Sequence, residues 1–262
     1  MSLSVLVETE PCTAPAHLSP SSISTWQQCP LRYKLSKIDK IREPSTDAQI
    51  LGSFTHEILE YLYQLPHEER TLATARRLSA SLWSETWAAE VAELNLDEEA
   101  VRRFRWQTWW CIEAMFKIED PALVTLGATE QRLETYLGDV KLLGILDRWH
   151  ALDDGRAVIS DYKTGKKPKP RYEGEKKFQL GVYVHLVRAA LGLDVAYTEL
   201  LYLKEGIRWK FEPTDKFVDE VVDTVQQVAV EIKDACAAGS FEAKPAILCD
   251  WCNFKSTCPA WK

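Results

Sequence analysis

The stretch Gly144-Ile-Leu-Asp147-Arg148-Trp-His-Ala-Leu152, Asp153-Asp154-Gly155, Arg156-Ala-Val-Ile-Ser-Asp161-Tyr162-Lys163-Thr-Gly165 decides the fold. Two runs of strand-forming residues flank a three-residue turn whose glycine can take positive φ, so the segment reads as a β-hairpin. Closure between Leu152 and Arg156 sets the register, in which opposed residues have numbers summing to 308. Asp147 and Asp161 obey that sum and face each other, with Cβ atoms about 4.5–5.5 Å apart. Two carboxylates so close repel, and a divalent cation between them is the natural remedy. Alternation places Lys163 on the face of Asp161. An ammonium there can position a water or steady charge on a phosphoryl centre. Ile145, Trp149, Ala157 and Ile159 share this face, so it is expected to point inward. The bland alternative is a solvated hairpin with surface charges, and a one-residue slip would part the two acids.

Outward from the hairpin, period-two patterning predicts strands at Glu130–Leu137, Val140–Ala151, Arg156–Lys163, Tyr197–Leu203 and Ile207–Phe211. A helix is expected over Phe178–Leu191 and a long one from near Thr214. Toward the N-terminus, residues 1–20 read as a loose tail. Ser21, Ser22 and Ser24 offer caps to a short helix carrying Trp26 and Cys29, and residues 42–49 read as a mobile loop. A helix from about Ser53 would bear Phe54, Ile58, Tyr61, Leu62 and Leu65 on its apolar stripe. Two longer helices, Leu72 to Leu94 and one beginning after Asp97, form a helical lobe at about 70–120. Trp83, Trp87, Trp106, Trp109 and Trp110 lie on this pair. Filling helix–helix contacts is the favoured reading for them, with base-stacking platforms as the alternative. The fold class is α/β, a mixed sheet flanked by helices, with one domain over 21–262.

The 262 residues suffice for a large core, and the composition, 46% hydrophobic and 27% charged, is that of a globular protein. A net charge of −7 argues against a general nucleic-acid coat, although phosphate contacts follow local charge. No apolar run reaches the roughly 20 residues that span a bilayer. Met1 to Pro20 lacks the marks of a signal peptide, so the cytoplasm is the expected location. No phosphate loop of the G-x-x-x-x-G-K-[ST] type is present, which excludes an ATP-driven motor of that class.

Gly144-Ile-Leu-Asp147 and Asp161-Tyr-Lys163-Thr-Gly165 resemble motifs II and III of the PD-(D/E)XK nucleases, and most of all the RecB-like exonuclease branch. Gly52-Ser-Phe-Thr-His56 is similar to that branch's helical motif, and Gln179-Leu-Gly-Val-Tyr183 to its Q-x-x-x-Y helix. The resemblance implies a restriction-endonuclease-like core and a metal-dependent DNA exonuclease. Asp147 and Asp161 would ligate Mg²⁺ or Mn²⁺ together with His56 and the Tyr162 carbonyl. Lys163 would assist the attacking water, Gln179 and Tyr183 would hold the strand, and Glu130 is a further acidic contributor. Without the resemblance, His56 would be a solvated histidine.

Seven cysteines in a chain expected to be cytoplasmic point to metal ligation rather than disulfides. Cys249, Cys252 and Cys258 offer three thiolates in a tail at about 245–262, and Cys29 in Trp26-Gln-Gln-Cys29-Pro30 is the fourth candidate. Four thiolates suit zinc or an iron–sulfur cluster. The remote cysteine with C-x2-C-x5-C resembles the [4Fe–4S] staple of iron–sulfur RecB-like nucleases, which favours the cluster over structural Zn²⁺.

Lys166 and Lys167, with neighbouring Lys169, Arg171, Lys176 and Lys177, lie between the catalytic strand and the Gln179 helix, where they could meet phosphates. The partner expected is DNA, single-stranded or at ends, with a helicase or a repair or adaptation protein in trans and no membrane. The competing reading is a catalytically silent DNA-end-binding subunit of such a complex.

Overall fold

The computed structural model describes residues 4–261. In chain order its elements are β1 (Val5–Glu8), α1 (Pro20–Gln28), α2 (Pro30–Tyr33), α3 (Asp47–Gln64), α4 (Leu72–Leu82), α5 (Ala88–Ala92) and α6 (Glu98–Ile118). There follow β2 (Leu126–Leu137), β3 (Val140–Ala151), β4 (Ala157–Lys163), α7 (Gly174–Leu191), β5 (Val195–Tyr202), β6 (Ile207–Phe211), α8 (Asp215–Ala238) and β7 (Ser240–Ala243). Five strands form a mixed sheet in the order β2-β3-β4-β5-β6. β3 and β4 pair antiparallel, α7 carries the chain to the parallel neighbour β5, and β6 returns antiparallel. No helix among the described residues is long and apolar enough to cross a membrane.

The hairpin register is the expected one. Arg148 opposes Ser160, Trp149 opposes Ile159 and Ala151 opposes Ala157, all on the 308 sum. Gly155 closes the turn at φ 83°, and the Leu152 N–H donates to the Arg156 carbonyl at 2.9 Å. Positive φ is nearly free for glycine and strained for other residues.

The chain divides into two compact units. One comprises Ser45–Leu133 and Ile145–Pro213. Here α3, α4 and α6 bury Phe54, Ile58, Leu62, Tyr63, Phe104 and Met115 in one cluster that also takes Tyr162 and Leu201 from the sheet. The α3 helix begins earlier than expected, inside the segment read as a mobile loop. Thr46 and Gln49 form a capping box that satisfies the first free N–H groups. Tyr61, placed on the apolar stripe by periodicity, is exposed, and Tyr63 is buried instead. The helix predicted over Leu72–Leu94 is interrupted by a π-helical turn at Trp83–Trp87. The next helix starts as expected, with the Asp97 side chain accepting from the Ala100 N–H.

The other unit holds the residues up to Pro44, Glu134–Gly144 and those from Thr214 onward. Its long helix α8 turns Val221, Val225, Val228 and Ile232 inward, and Trp26 of α1 donates to Glu231 at 2.8 Å. The first helix is capped by Ser19, with Pro20 at its first position, rather than by the serines that follow. Within the stretch read as a loose tail, Val5–Glu8 pair antiparallel with β7. Met1, Ser2 and Leu3 of that expectation, and Lys262 of the tail, lie outside the described residues.

Candidate active site and metal centre

The site grows from the end of the β3–β4 ladder. Beyond the Arg148–Ser160 pair the next step is Asp147 and Asp161, and there the Asp147 side chain replaces a ladder bond. Its Oδ2 accepts from the Tyr162 backbone N–H at 2.7 Å. Asp161 is buried, and Lys163 lies in direct ionic contact with it. The Asp161 Oδ1 also accepts from Gln179 Nε2 at 3.2 Å, and the same Gln179 nitrogen donates to the Tyr183 hydroxyl at 2.9 Å. One helical turn on α7 thus presents both side chains at β4.

Helix α3 brings His56 to the same place. Its Nε2 lies 3.0 Å from the Tyr162 carbonyl oxygen, and its Nδ1 lies 3.5 Å from Asp147 Oδ2. Glu130, on β2, completes the group. Ligand atoms of His56, Glu130 and Asp147 all lie within 4.8 Å of one another, and among the described residues they form the one such cluster of metal-ligating side chains. Glu130 sits at φ 44°, a costly conformation for a residue other than glycine, which marks it as a position held by its surroundings.

Electrostatics follow from this crowding. Burial and then the Asp147 charge push the Glu130 carboxyl up to about 7. Burial and then Asp161 push Asp147 up to about 6, against the pull of His56 and Lys163. Burial alone would lower the Lys163 ammonium, but Asp161 and Asp147 outweigh it and its pKa is raised. Lys163 is therefore a hydrogen-bond donor and a cation at neutral pH, not a base. Hard oxygen donors with one imidazole suit Mg²⁺ or Mn²⁺, and a cation there relieves the repulsion that raises both acids.

The inward face is only partly as expected. Ala157 and Ile159 are fully buried, whereas Ile145 is 44% exposed and Trp149 is half-buried. The opposite face carries what sequence reading missed. Arg148 is fully buried, in ionic contact with Glu119, 2.9 Å from Ser160 Oγ and 3.6 Å from Glu199. Its guanidinium lies 4.4 Å from the Tyr63 ring centre and 5.7 Å from that of Tyr162. An arginine at an alternate position of a central strand was the available signal.

The basic stretch is divided. Lys167 and Lys177 each lie 3.5 Å from Glu173, and the Lys167 backbone N–H donates to Glu205, so that pair is largely neutralised. Lys166, Lys169 and Arg171 remain exposed. In the other unit, Cys29, Cys249, Cys252 and Cys258 line one cavity of about 150 Å³. Among the described residues no three of their thiols approach within 4.8 Å of one another.

A sequence profile of the PD-(D/E)XK nuclease superfamily matches residues 17–259. The chain belongs to that superfamily. Its members use divalent metals, and the cluster of His56, Glu130 and Asp147 is a possible site for one in this PD-(D/E)XK core. Curated relatives include the Gene 69 proteins of Mycobacterium phage D29, 25% identical, and of phage L5, 23% identical. The alignments cover 93% of this chain in both cases, and 97% and 96% of the relatives. Among solved structures, a candidate exonuclease of Eubacterium rectale superposes with a TM-score of 0.58 at 14% identity, over 92% of this chain and 88% of that one. That likeness shows a shared fold.

Proposed function

We propose that this chain is a Mg²⁺- or Mn²⁺-dependent deoxyribonuclease of the RecB-like branch, an exonuclease that hydrolyses phosphodiesters in single-stranded DNA or at DNA ends. One observation carries the reading. Two carboxylates of raised pKa and an imidazole converge within 4.8 Å, beside an aspartate–lysine pair on the same hairpin. His56, Asp147, Asp161 and the Tyr162 carbonyl would hold the ion, with Glu130 as a further ligand. The ion supplies Lewis-acid polarisation of the scissile phosphate and of the attacking water. Lys163, kept charged by Asp161, donates toward the charge that builds on the phosphoryl oxygens. Gln179 and Tyr183 fix the Asp161 carboxylate from the α7 side and meet the strand near the bond cut. Lys166 supplies an exposed cation for phosphate, and Lys167 a partly neutralised one.

The nuclease domain would extend over residues 21–262, with the Cys-rich tail as a [4Fe–4S] staple. The shared cavity of the four cysteines supports this. Four thiolates lining one cavity suit a four-iron cluster, which takes four cysteine ligands. The protein would work in the cytoplasm, in DNA repair, recombination or foreign-DNA processing, with a helicase or adaptation protein in trans.

Cleavage of end-labelled single strands with and without Mn²⁺ tests the activity. Metal-dependent shortening that Lys163→Ala abolishes is the expected result. Binding of DNA ends without any cleavage would instead identify a silent end-binding subunit.

A further inference from the structure

The tryptophans of the helical lobe are not all packing residues. Trp83, Trp87 and Trp109 lie against the buried cluster, but Trp106 is 59% and Trp110 43% exposed on the outer face of α6. Arg102, Trp106 and Trp110 recur every four residues, so they form one stripe along the helix. Lys117 continues it, with its Nζ 5.5 Å from the centre of the Trp110 ring. Beside this stripe opens a groove of about 370 Å³ lined by Arg76, Arg102, Arg105, Trp106 and Trp109, with no acidic residue in its wall. Arg76 lies over the Trp109 ring at 4.9 Å and Arg105 over the Trp83 ring at 4.8 Å, which holds their guanidinium groups in place. Acids in the neighbourhood include Glu98, 3.5 Å from Arg102 on the exposed side, and the half-buried Glu113.

Exposed indoles, with the Trp106 and Trp110 rings 5.4 Å apart and the Trp110 N–H donating to the Lys204 carbonyl, stand beside a groove of arginines and match the chemistry of a strand whose bases are unstacked and whose backbone is anionic. A duplex offers no free base faces to such a stripe. The groove also has a fixed relation to the candidate metal site. Phe54 of α3 forms part of its wall, and two residues on, about 200° round the same helix, His56 joins the metal cluster. One helix, about 10 Å thick, separates them.

We propose that Arg102, Trp106 and Trp110, with the Arg76–Arg105 groove, form a stacking and phosphate track for single-stranded DNA outside the cleavage site. This deepens the nuclease reading and rests on it for the strand's destination. The track binds the strand at a distance from the scissile bond, so it governs affinity for longer strands and leaves hydrolysis of a small phosphodiester untouched.

The test measures fluorescence polarisation of a labelled oligothymidylate in EDTA, alongside Mn²⁺-dependent hydrolysis of bis(p-nitrophenyl) phosphate. Trp106→Ala is expected to weaken oligothymidylate binding about tenfold, in line with the loss of one stacked base. Trp106→Phe should retain most of the affinity. Arg102→Ala should reduce the slope of log affinity against log salt by about 0.7, with hydrolysis of the small ester unchanged in each variant. Unaltered oligothymidylate affinity in Trp106→Ala and Arg102→Ala would overturn the track, and so would equal competition by duplex DNA or by oligouridylate. If the wild-type protein hydrolyses nothing yet its strand binding depends on Trp106, the track stands and the nuclease reading falls.

Discussion

The Asp147 carboxylate holds the Tyr162 backbone N–H at 2.7 Å, so a candidate metal ligand also fastens the end of the β3–β4 hairpin. An asparagine can keep that hydrogen bond through its amide oxygen while losing the charge. Asp147→Asn should therefore fold, and without metal it should melt at a higher temperature than wild type near pH 8, because a repelling charge is gone. It should also lose the gain in melting temperature that Mn²⁺ gives the wild-type protein. Calorimetry of both proteins with and without Mn²⁺ checks this, and an undiminished Mn²⁺ effect in the variant would remove Asp147 from the ligand set.

The raised pKa values predict an unusual pH dependence. Glu130 rises from 4.5 to about 7 and Asp147 from 3.8 to about 6 on folding. Between about pH 4 and 7 the native state thus binds more protons at these groups than the unfolded chain does. Their contribution makes the metal-free protein less stable as pH rises through that window. Divalent cations compete with those protons, so stabilisation by Mg²⁺ should be large near pH 8 and small near pH 5. Melting curves at the two pH values, with and without Mg²⁺, measure the difference. An equal Mg²⁺ effect at both would show that neither carboxylate is displaced from its proton by the ion.

Arg148 and Glu119 form a buried ion pair beneath the site, on the sheet face opposite the acids. Removing one partner strands the other charge, so Arg148→Met should cost about 3–5 kcal/mol in urea denaturation. Glu119→Gln should cost less, because Glu199 remains near Arg148 and the amide can still accept from it. A loss under 1 kcal/mol for Arg148→Met would mean that the pair contributes little beyond its desolvation cost.

How much of this was legible in the sequence depended on the range of the interactions. The hairpin register followed from local turn chemistry at Asp153-Asp154-Gly155, and alternation carried it to Asp147, Asp161 and Lys163. The strand Val5–Glu8 was illegible because its partner, β7, lies more than 230 residues away and four residues show no pattern of their own. The early start of α3 was hidden because a capping box of Thr46 and Gln49 carries no apolar period. Arg148 escaped notice because its place on the buried face was legible from alternation but its partners, Glu119 and Glu199, come from distant elements. The tryptophans of α6 divide between core and surface at adjacent positions, Trp109 and Trp110, which composition cannot separate.

The cysteine cavity makes a separate prediction. Protein purified without oxygen should be brown, with absorption at the blue edge of the visible, and Cys29→Ser should lose both colour and bound iron. Metal analysis that finds stoichiometric zinc in a colourless protein would replace the cluster by a zinc staple.

The central claim is that the acids at the end of the β3–β4 hairpin trap a divalent cation. Anomalous diffraction from crystals soaked in Mn²⁺ tests it most directly. The account predicts a manganese peak bonded to Asp147 and Asp161, with His56 and Glu130 alongside and Lys163 close by. A peak elsewhere, or none at this cluster at saturating Mn²⁺, would contradict it.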